Sequence, residues 1–208
     1  MFHGKPDFLL NVTLNNNKEI TGVFAGDVVQ AHRIGCHFVK ENAMHGVDEP
    51  FDVVVTTNSG YPLDQNLYQS VKGMSAAAQI VRPGGTILEA SQCCDGVPDH
   101  GNYAAILQMR ETPEALLEMI NDASFRVFDQ WQVQVQAIIQ TKADCYLYSS
   151  LDDETVRRAK LGPIHDLQEK LADLLGENPR ARVAVLPLGP LTIPYIRSKG
   201  QTLSPAQG

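Results

Sequence analysis

No stretch of the chain reaches the roughly 18 apolar residues needed to span a bilayer. The opening MFHGKPDFLL has one Lys, an early Pro and no long apolar core, so it does not read as a secretory signal. CxxC, HExxH, GxGxxG and GxxxxGKS/T are all missing, which removes the usual zinc spacings and the nucleotide fingerprints. A basic excess is missing too. Lys and Arg number 17 against 24 Asp and Glu, a formal charge of −7, which argues against a nucleic-acid or membrane-surface binder. The four Cys (Cys36, Cys93, Cys94, Cys145) include no spaced pair, and Cys93 and Cys94 are adjacent, a poor geometry for bonding each other. Free thiols in a reducing cytoplasm are the simplest expectation. The six His are scattered; His32 and His37, five apart, do not share a helix face as an i, i+4 ligand pair would.

What is present is an ordinary globular composition. With 208 residues, 43% apolar and 20% charged, the chain can bury a core without disulfides or a structural metal. Residues 7–14 and 20–26, joined by NNNKE, predict an antiparallel hairpin. Gly26-Asp27 opens a predicted helix through about Val39, and 42–50 (NAMHGVDEP) reads as a polar connector and boundary. FDVVVTT (51–57) is apolar without alternation, as in a strand buried on both faces. Leu67, Val71, Met74, Ala78 and Val81 repeat at spacings of 4, 3, 4 and 3, predicting a helix over 64–81 capped by Asp64. Arg82-Pro83-Gly84-Gly85 ends it, and TILEAS (86–91) follows as a strand, so that the three form a βαβ unit. Further helices are expected near 103–110, 112–122, 152–160 and 163–176, and strands at 144–150 and 181–189, with LTIPYI as another candidate. Segment 130–141 reads two ways. Trp131, Val133, Val135 and Ala137 alternate like a strand; Trp131, Val135, Ile138 and Lys142 align as a helix face. The expected fold class is α/β: βαβ-containing, a mostly parallel sheet flanked by helices, with an N-terminal β-hairpin plus helix.

Chemistry concentrates in Ser59–Asp64 followed by Tyr68, Gln69 and Lys72. This loop leaves the carboxyl end of a buried strand, where open α/β sheets place ligands. Gln69 and Lys72 are three apart and share a helix face opposite the apolar stripe. Together they can hold a carboxylate, the Lys by charge and the Gln by a hydrogen bond. On spacing alone, a solvated polar face is the simpler reading. Cys93-Cys94-Asp95 has no His at a partner's spacing and reads as ordinary. The lone Trp131 reads first as core. Val81–Leu88 is similar to the late strand of a methyltransferase-like Rossmann domain, although Pro-Gly-Gly before a strand is common turn chemistry.

The order and wording of these pieces carry a resemblance. DVVVTTNSGYPLDQN (Asp52–Asn66) followed by YQSVKGM (Tyr68–Met74), with Phe24–Asp27, Ala31-His32, Asp95-Gly96 and Asp129–Gln132, resembles the nickel-pincer-nucleotide lactate racemases, chiefly their C-terminal domain. The resemblance runs over about residues 7–190. It implies racemisation or epimerisation of a 2-hydroxy acid: hydride leaves Cα for a nickel–pincer nucleotide, a His acts as base on the hydroxyl, and a 2-oxo acid forms transiently. It implies catalytic roles for Lys72, on an anionic group, and for Gln69, orienting it. Tyr68 and Trp131 become pocket residues, with Trp131 closing the pocket against water, and 130–141 becomes helix.

In the family the resemblance names, the cofactor-tethering Lys, nickel-ligating His and catalytic His pair lie in a larger N-terminal domain, and none of the six His here maps onto those roles, so no metal ligand is assigned and no bound cofactor is expected. The resemblance divides the chain into 1–47, like the end of that N-terminal domain; 48–180, the C-terminal α/β domain; 181–196, strands returning to the N-terminal domain; and 197–208, a disordered tail. The expectation is part of a cytoplasmic isomerase, inactive as this chain alone. Its substrate in the full-length enzyme is a small 2-hydroxy acid, with no nucleic-acid or membrane partner and with self-association through orphaned apolar surface. The competing readings are a non-catalytic ligand- or partner-binding α/β module and, more weakly, a Rossmann-like methyltransferase.

Overall fold

In the computed structural model the described residues are 6–15, 17–99 and 101–197; the tail expected at 197–208 lies outside them apart from Arg197. The chain forms two units, Met1–His45 and Gly46–Gly208.

In the first unit, β1 (Leu9–Leu14) and β2 (Ile20–Gly26) pair antiparallel with Val12 opposite Val23. Asn15 closes the turn, its side-chain oxygen accepting from the N–H groups of Asn17 and Glu19, both at 3.0 Å. Helix α1 (Val28–Asn42) starts at Asp27, whose carboxylate accepts from Val29 N–H and Gln30 N–H. It runs three residues beyond the expected Val39. Phe24 on the hairpin meets Phe38 on α1 with ring centroids 5.5 Å apart.

The predicted connector 42–50 is corrected in part: Met44–Val47 is a strand, β3. The Val47 carbonyl accepts from Arg197 N–H at 2.8 Å. A partner some 150 residues away in sequence is invisible to a local reading of a Gly- and His-containing tetrapeptide.

The second unit is built on a parallel sheet. Its strands are β4 (Phe51–Thr57), β5 (Val81–Ala90), β6 (Ala143–Tyr148), β7 (Gly162–Ile164) and β8 (Val183–Leu186), in the order β7-β6-β5-β4-β8. β4 is buried on both faces, as its unbroken apolar run requires. Val54 packs with Ile87 and Leu147 in the larger core; Val53 packs with Leu88 and Ile164 under α7 (Leu167–Glu177). Such burial stabilises by about 25 cal/mol per Å² of apolar surface. Residues 163–164, expected within a helix, instead add β7 to the sheet edge, and Asp166 starts α7 by accepting from Gln168 and Glu169 N–H. The expected strand 181–189 is shorter, and a 3-10 turn (Gly189–Leu191) leads into β9 (Ile193–Ile196).

Helix α2 (Leu67–Ala78) buries Leu67, Val71, Met74 and Ala78, the predicted stripe. Its ends differ from expectation. Asn66, not Asp64, is the cap, accepting from Gln69 N–H at 3.1 Å, and Val81 already belongs to β5. Helices α3 (Tyr103–Leu107), α4 (Pro113–Asn121, capped by Thr112), α5 (Gln130–Lys142) and α6 (Asp153–Arg158, capped by Asp152) complete the unit.

The 130–141 ambiguity resolves to helix, but on a different face from the one that aligned apolar residues. The buried positions of α5 are Gln132, Val133, Gln136, Ala137 and Ile139, while Ile138 and Trp131 are each 53% exposed. Buried amides hide the period. Gln132 Nε2 donates to the Tyr68 carbonyl at 2.6 Å, Gln136 Nε2 to the Ala159 carbonyl at 2.8 Å, and Gln136 Oε1 accepts from the Tyr103 hydroxyl. Each amide is thereby satisfied inside the core.

Candidate functional site

Past Thr57 the chain turns through Ser59 (φ 65°) and Gly60 (φ 72°), both left-handed, and a cis Tyr61–Pro62 peptide. Buried Asn58 fixes this turn against α2. Its Nδ2 donates to the Leu63 carbonyl, and its Oδ1 accepts from Gly73 N–H at 3.1 Å. Sequence reasoning assigns Asn58 no role; an Asn at a strand's end is a signal only for turn chemistry. Asp64, displaced from the cap, is nine-tenths buried, and its Oδ2 accepts from Gln92 N–H at 3.4 Å.

The first turns of α2 hold three of the four predicted residues, and α5 brings the fourth to them. Lys72 Nζ donates to Gln69 Oε1 at 2.5 Å, so the predicted pair is a physical pair. Lys72 is exposed and forms no ion pair among the described residues. A cation held by a neutral amide keeps its charge for a further anion. Tyr68 stacks edge-on to Trp131 (centroids 5.9 Å) and to buried Tyr103 (5.3 Å). Burial, with the Asp129 carboxylate as a lesser cause, holds the Tyr68 phenol above its ordinary range and keeps it neutral. Trp131 leans on Tyr68 with about half its surface open; it is not core.

Buried Asp129 aims α5. It takes φ 69° and accepts from Asn102 N–H at 3.2 Å through Oδ2. Cys93 is buried, with Ser70 Oγ 3.4 Å from its sulfur; burial pushes its thiol up, the opposite of an activated nucleophile. Among the described residues no three His, Cys, Asp or Glu side chains come together as a metal-binding group. None of the described helices is long and apolar enough to cross a membrane.

The family model described as the lactate racemase C-terminal domain matches residues 47–193. This chain belongs to the lactate racemase family. It is 36% identical to the lactate racemase of Lactiplantibacillus plantarum over 189 residues, covering 89% of this chain and 44% of that protein. It is 34% identical to the lactate racemase of Thermoanaerobacterium thermosaccharolyticum over 186 residues, covering 88% and 43%. The chain thus spans less than half the length of these lactate racemases. The solved lactate racemase apoprotein of the latter organism superposes with a TM-score of 0.81 at 33% identity, covering 92% of this chain and 46% of that one. A Thermotoga maritima protein at 13% identity and a TM-score of 0.60 shares the fold alone. The racemase likeness bears out the α/β class with its N-terminal hairpin.

Proposed function

We propose that this chain is the C-terminal part of a cytoplasmic enzyme that racemises or epimerises a 2-hydroxy acid with a nickel–pincer nucleotide as cofactor, and that α2 supplies its anion-holding residues. The observation that carries this is the Lys72–Gln69 contact of 2.5 Å on an exposed helix face, beside the Tyr68–Trp131 edge. In this reading Lys72 pairs with the substrate carboxylate or a cofactor carboxylate, and Gln69 holds the ammonium in place and donates its amide N–H to the same anion. Tyr68 and Trp131 form an aromatic wall that limits water, which strengthens the charge pair.

The described side chains do not fit a nickel site, since no three His, Cys, Asp or Glu residues among them come together for it. No step through the cofactor is therefore derived from this chain. Its metal and its catalytic base belong, in this reading, to a further part of the full-length protein, of which residues 1–47 are the closing segment and to which 181–196 returns. Small 2-hydroxy acids such as the lactate of the relatives' names are the substrate class, and no nucleic-acid or membrane partner is invoked.

In the full-length enzyme, Lys72→Ala should lower kcat/KM for 2-hydroxy-acid racemisation about 100-fold, the scale expected for a water-shielded charge pair. Chiral chromatography of the product measures this, and near-normal turnover would remove Lys72 from the site. The 208-residue chain alone should neither racemise lactate nor hold stoichiometric nickel in elemental analysis; either result would overturn the division of labour.

A further inference from the structure

Helix α5 carries Trp131 to the site, and something must fix how that helix is turned about its axis. Asp129 fixes where α5 begins, through Asn102 N–H, but its side chain makes no cap bond to the helix. The apolar anchors of α5 are Val133, Ala137 and Ile139. Apolar contact is non-directional, so it tolerates a helix that rolls. A hydrogen bond does not, because it weakens steeply off line.

Two buried amides one turn apart supply the direction. Gln132 is 2% exposed and Gln136 has no exposed surface. Gln132 Nε2 donates to the Tyr68 carbonyl at 2.6 Å. Gln136 accepts from the Tyr103 hydroxyl and donates to the Ala159 carbonyl at 2.8 Å. Tyr103 lies edge-on to Tyr68, and Tyr68 edge-on to Trp131 at an interplanar angle of 89°. The contacts close on themselves. Gln132 grips the backbone of Tyr68, Trp131 beside it meets the ring of the same residue, and Gln136 holds the tyrosine behind. The Gln132 bond is not needed to satisfy its acceptor. A helical carbonyl already accepts from the N–H four residues on, so the Tyr68 carbonyl has a partner inside α2.

We infer that Gln132 and Gln136 are positioning residues: they set the roll of α5 and so hold Trp131 against Tyr68, beside the Gln69–Lys72 face. The effect on turnover rests on the site proposed above; the ring geometry does not.

Trp131 is the only Trp, so indole fluorescence of the 208-residue chain reports on it alone. Gln132→Met keeps side-chain length and helix preference and removes the amide. Gln136→Met combined with Tyr103→Phe does the same one turn on without stranding the hydroxyl. Both variants should keep the far-UV circular dichroism spectrum of wild type and lose the nuclear Overhauser contact between the Trp131 and Tyr68 rings. Acrylamide quenching of Trp131 should rise up to about two-fold as its 53% exposure approaches full exposure. In the full-length enzyme, Gln132→Met should lower kcat/KM for 2-hydroxy-acid racemisation about ten-fold, as a misplaced pocket wall would. It should cost nothing further once Trp131→Ala is present, because the interaction is then already gone. A merely structural bond would cost as much in either background. An unchanged ring contact in both variants, a Gln132→Met chain that does not fold, or a loss that persists beside Trp131→Ala would overturn the inference. Loss of the ring contact with wild-type turnover would remove Trp131 from the site and the positioning role with it. Near-normal turnover of Lys72→Ala would overturn only the anion-holding reading and leave the ring result standing.

Discussion

Glu89 occupies the sheet face beneath α2 with no accessible surface, and neither carboxylate oxygen has a hydrogen-bond partner among the described residues. Burial raises its pKa well above 4.5, so the folded chain keeps the proton. The unfolded chain releases that proton near the ordinary Glu value. Folded stability is therefore intact below about pH 4.5 and is lost progressively as pH rises from there toward the folded pKa. Glu89→Gln should leave urea midpoints unchanged at pH 4 and raise them increasingly toward pH 8. A variant whose advantage is flat with pH would mean that Glu89 titrates normally in the fold. Thiol reactivity is legible at the same scale. Cys93 and Cys145 are buried while Cys36 and Cys94 are exposed, and burial pushes the Cys145 thiol up to about 12. An aromatic disulfide reagent should therefore titrate two of the four thiols quickly and the other two only on unfolding.

Helix α2 seats itself on the sheet through an absence of side chain. A Cβ at Gly73 would lie 2.5 Å from Glu89 Oε1 and 2.8 Å from the Thr57 carbonyl oxygen. Gly189 approaches from the other side, where a Cβ would lie 2.9 Å from the Gly73 Cα. Helix propensity alone favours Ala at position 73 by about 1 kcal/mol, yet the backbone carbonyl cannot move aside. Gly73→Ala should cost about 1–3 kcal/mol from overpacking, read as a fall in Tm of roughly 3–10 °C; a rise in Tm would show that the helix has slack. The stripe of α2 was readable because 4, 3, 4, 3 spacing has one geometric meaning, and so was the Gln69–Lys72 pair, a property of helical period. The start of α2 was less readable, because Asp and Asn are both good caps and only the fold directs Asp64 to Gln92. In α5 the buried Gln132 and Gln136 replaced the apolar residues that mark a helix face. β3 and β7 owe their existence to distant strands, and no local pattern encodes either.

At the scale of the whole chain, the hairpin presents a bare apolar face. Leu10, Val12 and Leu14 alternate along one face of β1, with Ile20 and Val23 opposite on β2, and all five are exposed at between 42% and 67%. The other face carries Phe24, which meets Phe38 of α1. A two-stranded ribbon with one apolar face bare is a poor stopping point in water. The chain spans 44% of the length of one lactate racemase relative and 43% of another, and in the reading proposed above the remainder supplies the cover. Without that cover, two copies should bury the face against each other, and the 208-residue chain should sediment as a concentration-dependent dimer or larger species. Val12 and Val23 are direct cross-strand partners. Val12→Lys with Val23→Glu therefore replaces the centre of the patch by an opposite-charge pair that still suits the ladder. This double variant should sediment as a monomer with an unchanged far-UV circular dichroism spectrum. A wild-type chain that stays monomeric throughout would show that the bare face is tolerated in water. A double variant that associates as strongly as wild type would place the contact elsewhere on the molecule.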